Sequence, residues 1–187
     1  LSTLTGALEY FVHGGVDNYG QLLRFLADRF LLTGYGSDPA TPTPERGVYE
    51  TPGLPSVPEE APVVGILFYR AHWLSGNLQP IDALAREIHR EGCRARAVFC
   101  ESLKEADEDG IPLAIREYLM DADVLISTLA FSSPHGLDCP VIQAVMSGST
   151  RAEWSGSATG LSPRDVAMHV ALPEFDGRII SVPISFK

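Results

Sequence analysis

Three short stretches of the chain gather the side chains that could bind or react. Arg70, His72, Trp73, Ser75 and Asn77 fall within YRAHWLSGN, directly behind the apolar run Val63–Tyr69. Ser132, Ser133, His135 and Asp138 follow a second apolar run that begins at Val124, and Glu174, Asp176 and Arg178 crowd ALPEFDGR. Local arginines can hold an anionic ligand, and a carboxylate fixed by a short turn can serve as a base or a ligand. Plainer readings stand beside these. Trp73 could plug a core and His72 satisfy a backbone group, and Asp176-Gly177 is a common turn pair. Turn chemistry gives no reason for a carboxylate at Glu174, which makes it the stronger functional candidate.

Strands and helices must position these clusters. Val63–Tyr69 is continuously apolar, as a strand buried on both faces reads. A helix over about Pro80–Arg90 follows, with Ile81, Leu84 and Ile88 on one face, proline in its first turn and Gly92 as its stop. Then come a strand at Arg94–Cys100, an acidic loop at Glu101–Asp109 that reads as a solvated surface, a helix over about Ile111–Met120, and a strand at Val124–Ala130. Alternation of this kind predicts βαβ units, hence an α/β fold with a mostly parallel sheet. Ligands in such sheets bind beyond the carboxyl ends of the strands, where the first two clusters lie. Cys139–Met146 reads as a short buried strand and Ser147–Ser157 as a Gly/Ser-rich stretch. SPRD at Ser162–Asp165 reads as a helix start, Ser162 capping and Asp165 reaching back, with Pro173 ending the helix early. Ala171–Gly177 then reads as a turn, and Arg178–Phe186 as a last strand, about five in all.

The remainder divides into a helical segment, residues 1–35, and a proline-rich connector, residues 36–62, ahead of the α/β domain, residues 63–187. The connector holds seven of the 14 prolines, a density that excludes helix interiors and central strands. In the helical segment Leu22, Leu23, Leu26 and Phe30 recur at helical spacing, with Asp17 or Asn18 as cap and Gly34 and Gly36 as the stop. His13–Gly15 is a turn between two helices or a loose anion-binding nest.

With 187 residues, 45% apolar and 20% charged, the chain can bury a core. Its net charge of −10 argues against nucleic-acid binding and adsorption to anionic membranes. No apolar run is long enough to span a bilayer. Three cysteines without metal-ligand spacing suggest reduced thiols in a cytoplasmic protein. No nucleotide-binding or hydrolase motif is present, so ATP hydrolysis by this chain alone is not expected. A start at Leu and an end at SVPISFK suggest a piece of something longer.

The segments VVGILFYRAHWLSGN, RAVFCESLK, LDCPVIQA and GLSPRDVAMHVALPEFDGRIISVPISFK, with HGGVDN and LLRFLAD before them, resemble the CobN-type large subunit of cobaltochelatase. The likeness covers nearly the whole chain. The large subunit of magnesium chelatase shares the VALPE-DG pattern but usually lacks the HWLSGN form, which favours the cobalt enzyme. The resemblance implies an N-terminal piece of a much longer cytoplasmic, tetrapyrrole-binding subunit. That enzyme, a ligase forming nitrogen–metal bonds, inserts Co(II) into hydrogenobyrinic acid a,c-diamide in cobalamin biosynthesis. ATP with Mg2+ is used by two partner subunits, an AAA+ ATPase and its companion. A GTHG–LEWLPGK-like motif expected further along full-length members is absent here. Two alternatives remain: a magnesium chelatase subunit acting on protoporphyrin IX, or a non-catalytic module that holds corrinoid or docks the ATPase.

Under this resemblance the clusters take roles. Glu174 accepts protons or holds the metal, with His72 as a further catalytic group. His72, His135 and Glu174 are transient ligands for Co(II). Arg70 and Arg178 pair with the macrocycle's carboxylates. Trp73 lies against its flat face, and Ser75, Asn77 and His135 complete the substrate-binding set. The 187 residues alone are expected to bind a macrocycle weakly and to insert no metal.

Overall fold

A computed structural model describes residues 2–130 and 136–187 of the chain. The chain folds as two compact units, one of residues 1–45 with 71–77 and the other of residues 46–70 with 78–187.

The first unit is built on two helices, α1 (Ser2–His13) and α2 (Val16–Leu31). The expected turn at His13–Gly15 separates them, with Gly14 and Gly15 both at positive φ. Gly15 occupies the cap position of α2, so neither Asp17 nor Asn18 caps it. Asn18 is instead buried, its amide donating to the carbonyls of Gly14 (2.7 Å) and Thr41 (2.9 Å) and accepting from the Thr41 N–H (2.8 Å). These bonds, with Tyr10 Oη donating to the Asp38 carbonyl, fasten the start of the proline-rich stretch to the helices. The helix ends at a left-handed Leu32, and the Asp28 carboxylate accepts from Thr33 Oγ1 and the N–H groups of Tyr35 and Gly36.

The second unit carries a six-stranded sheet in the order β1-β3-β2-β4-β5-β6. The strands are β1 (Arg46–Tyr49), β2 (Val63–Tyr69), β3 (Arg94–Cys100), β4 (Val124–Ser127), β5 (Val141–Met146) and β6 (Ile179–Ser185). β1 is antiparallel and every other neighbouring pair is parallel. The predicted α/β class is observed, with β2 an interior strand between β3 and β4. β1 is the sixth strand, and it lies inside the stretch read as a connector. The six residues from Glu45 to Glu50 are free of proline and can therefore supply the ladder donors that the flanking sequence cannot.

Between the strands lie α3 (Arg70–Ser75), α4 (Gln79–Arg90), α5 (Leu113–Tyr118), α6 (Arg151–Gly156), α7 (Pro163–Val166) and α8 (Leu172–Phe175). Ile81, Ala85 and Ile88 of α4 are buried, as is a cluster joining Leu67, Val98 and Leu125 of the sheet to Ile115 and Leu119 around α5. Gly65 explains how α5 sits so close. A Cβ there would meet Leu119 Cδ2 at 2.7 Å and Leu125 Cδ1 at 3.0 Å, so any side chain at this position would have to displace those leucine methyls. The acidic loop faces outward, with Asp107 and Asp109 paired to Arg116 and Glu105 to Arg46.

The region after β5 departs from expectation. The Gly/Ser-rich stretch contains α6, set by a capping box in which Thr150 Oγ1 accepts from the Glu153 N–H and Glu153 accepts from the Thr150 N–H. Ser162 does cap α7, accepting from the Asp165 N–H, but the Asp165 carboxylate turns inward rather than back to the cap. Pro173 does not end the helix. Its ring would clash with the carbonyl four residues back, and the path widens into a π-turn at Ala167–Ala171 that runs directly into α8. Glu174 therefore sits on a helical turn rather than in a loop.

Candidate functional site

YRAHWLSGN is helical from Arg70 to Ser75 and is closed by its own small residues. Gly76 at φ +70° lets its N–H reach the Trp73 carbonyl (3.2 Å) while the Asn77 N–H reaches that of His72 (2.9 Å). This is the paired bonding of a Schellman end, in which a left-handed glycine satisfies carbonyls the helix leaves open. Ser75 Oγ also donates to the His72 carbonyl, and Asn77 Nδ2 lies 3.4 Å from His72 Nδ1. Ser75 and Asn77 are thus brought to His72 as parts of a helix terminus. Burial holds the His72 imidazole below its ordinary pKa.

Within the first unit, this segment meets the glycine turn. Trp73 and Leu74 share a cavity of about 380 Å3 with Gly14, Gly15, Asn18, Thr41 and Thr43. Leu74 closes one side, with its Cδ1 3.3 Å from where a Cβ on Gly14 would stand. Two motifs that are far apart in sequence, HGG and HWLSG, thereby line one concavity that combines an indole, backbone groups and threonine hydroxyls.

Arg70 belongs to the second unit, at the carboxyl end of β2, with its guanidinium 3.5 Å from Glu101 beyond β3. Beside it, Tyr69 Oη accepts from the Ala130 N–H. Ser132, Ser133 and His135 lie outside the described residues. His72 belongs to the first unit and Glu174 to the second. Among the described residues no group of three or more His, Cys, Asp or Glu side chains comes together as a metal centre.

Arg178 and Glu174 occupy opposite environments within one turn. After α8, Gly177 at φ +72° repeats the closure seen at Gly76, its N–H reaching the Glu174 carbonyl and the Arg178 N–H that of Pro173. Asp176-Gly177 is therefore turn chemistry. Arg178 points inward and is buried, donating to Gln143 Oε1 (2.6 Å), the Leu129 carbonyl (3.3 Å) and Asp176 Oδ2 (3.1 Å). Burial pulls its pKa down and Asp176 opposes the shift. Glu174 is exposed, and among the described residues no hydrogen bond or ion pair engages its carboxylate.

A second cavity, of about 490 Å3, lies beyond the carboxyl ends of β4 and β5. Ala130, Met146 and Ser149 wall it on the sheet side, and Arg164, Met168 and His169 on the helix side. Asp165 fixes the loop between them, accepting from Ser147 Oγ (3.0 Å) and the Gly148 N–H (3.2 Å). Sequence reasoning missed this site. Asp165 and His169 stand one helical turn apart in SPRDVAMH, a pattern that could have marked them as one face.

His169 rides on the π-turn with its Nδ1 buried and no hydrogen-bond partner among the described residues. Burial lowers its pKa and Asp165 opposes that shift. A histidine with a depressed native pKa is protonated first in the unfolded chain, so its effect on stability is a loss as pH falls below about 6.5. Urea midpoints measured from pH 7.5 to 5.5 should fall with pH, and His169→Gln should flatten that slope. An unchanged slope would mean that the imidazole is protonated as readily in the native state.

The three cysteines are free, and burial pushes the Cys100 thiol up to about 12. No helix among the described residues is long and apolar enough to cross a membrane.

Comparison with known proteins agrees with this architecture. Residues 8–187 match the family model described as CobN/Magnesium Chelatase. The aerobic cobaltochelatase subunit CobN of Sinorhizobium sp is 40% identical over 95% of this chain, and that of Pseudomonas aeruginosa 32% over 96%. A magnesium-chelatase subunit of Rhodobacter capsulatus is 30% identical over 91%. In each case the match covers 16% of the relative. Among solved structures, the catalytic subunit of cobaltochelatase from Mycobacterium tuberculosis superposes with a TM-score of 0.78 at 35% identity, over 97% of this chain and 16% of that one. This chain belongs to the CobN/magnesium chelatase family.

Proposed function

We propose that this chain is part of the tetrapyrrole-binding large subunit of an ATP-dependent cobaltochelatase, a cytoplasmic multisubunit enzyme that inserts Co(II) into hydrogenobyrinic acid a,c-diamide in cobalamin biosynthesis. The observation that carries this reading is the 40% identity to a cobaltochelatase subunit over 95% of the chain, against 30% over 91% for a magnesium-chelatase subunit. ATP with Mg2+ is consumed by an AAA+ partner and its companion, and this chain supplies surface to the macrocycle.

Metal insertion requires that water leave the cation and that protons leave the inner nitrogens of the ring. Glu174, exposed and uncommitted, takes those protons or holds the cation as it sheds water. The half-buried imidazole of His72 stays neutral at physiological pH, the form that can ligate a borderline cation such as Co(II). His135 is the further ligand. Arg70 meets a carboxylate arm of the macrocycle, as does Arg178 if it exchanges an internal partner for one, and Trp73 faces the ring plane. Ser75 and Asn77 hold the end of the helix that carries His72 and Trp73.

Cavities of about 380 and 490 Å3 are each too small for a whole four-ring macrocycle with its arms. A tight site buries most of its ligand. The 187 residues alone are expected to bind the macrocycle weakly, to hydrolyse no ATP and to insert no metal. The test is to offer Co(II) and Mg(II), with hydrogenobyrinic acid a,c-diamide and protoporphyrin IX, to the complete complex. Cobalt insertion into the corrinoid precursor is expected, and magnesium insertion into protoporphyrin IX instead would overturn the assignment.

A further inference from the structure

The two edges of the sheet are built in opposite ways. β1, at one edge, is four residues long, flanked by Glu45 and Glu50, and its Arg46 is held by Glu105 (2.9 Å) and Glu117 (3.0 Å). A short, charged strand of this kind discourages further pairing. β6, at the other edge, is seven residues long and carries no charge, and none occurs between Arg178 and Lys187. Ile179, Val182 and Ile184 on it are 56, 73 and 37% exposed, and Phe175 just before it is 90% exposed. β5 pairs with one side of β6, and among the described residues no strand pairs with the other.

A long, uncharged, apolar open edge is a template for another strand and a hazard when left bare. We propose that the free edge of β6 is a docking site for a β-strand from the rest of the large subunit, which extends this sheet to a seventh strand. The relatives supply the occupant, because this chain covers only 16% of their length and most of each polypeptide lies outside it. Pro183 is compatible with that role. It costs one donor in β6, and flanking residues can still pair through their own N–H and carbonyl groups. With Val182 73% exposed on β6, the incoming strand would present apolar side chains to the face that carries it. This docking edge depends on family membership and on the sheet geometry, and is independent of which metal is inserted.

Hydrogen–deuterium exchange tests it, on the complete large subunit and on the 187-residue chain. An unpaired edge amide exchanges freely, whereas one in a cooperative ladder is slowed by orders of magnitude. Alternate amides of Ile179–Ser185 should exchange at least about 100-fold more slowly in the complete subunit than in the 187-residue chain. Equal rates in both would overturn the proposal. So would slow exchange in the 187-residue chain that grows with its concentration, because the occupant would then be a second copy.

Discussion

Phe68→Ala is expected to destabilise the sheet unit by about 3–5 kcal/mol, the usual cost of emptying an aromatic site in a packed core. Phe68 lies in the interior strand and is fully buried, with the rings of Tyr49 and Phe99 centred 6.2 and 6.3 Å away. Those three rings tie β1, β2 and β3 together across one face, so the lost volume is shared by three strands and cannot be refilled by one side chain. Urea unfolding should show the midpoint falling with little change in slope. A cost below about 1 kcal/mol would mean that the site collapses freely, and that β2 is not the strand on which the unit is built.

That strand was legible because burial on both faces demands an unbroken apolar run, and Val63–Tyr69 has one. Arg94–Cys100 was equally clear, and its observed bounds are those expected. β1 was hidden by its neighbours. Seven prolines in one stretch dominate its composition, although RGVY itself contains none. The α6 helix was hidden by Gly and Ser on either side, yet Thr150 and Glu153 have the spacing of a capping box and could have been read as one.

At the candidate sites the side chains were legible and their company was not. SGN after HWL reads as a polar cluster, but a glycine one residue past a helical turn is also how a helix ends, and the bonds at Gly76 and Asn77 show that use. Arg178 looked like a ligand for anions because arginine on a turn usually faces water. Its guanidinium instead meets Gln143 and Leu129, residues 35 and 49 positions away, which no local pattern could indicate. The meeting of Trp73 with the glycine turn is likewise a tertiary event. The π-turn has a local cause in Pro173, but proline more often ends a helix than widens one.

Glu174→Gln separates a chain that brings a reacting carboxylate to metal insertion from one that brings only a binding surface. Glutamine keeps the size and polarity of the side chain and removes its charge and basicity. Glu174 is exposed and its carboxylate makes no hydrogen bond or ion pair among the described residues, so the change should move stability by less than about 0.5 kcal/mol. Binding of the macrocycle, which depends on arginines and an aromatic face, should be retained. A positioned acid or base contributes about 10²–10⁴ in rate, so cobalt insertion by the complete complex should fall at least about 100-fold. Absorbance of the metallated corrinoid, followed with ATP and both partner subunits present, reads that rate directly. A 100-fold loss with unchanged macrocycle binding is the predicted result. Turnover equal to that of the unmodified subunit would contradict it, and would leave this chain as a binding wall whose reacting groups lie elsewhere.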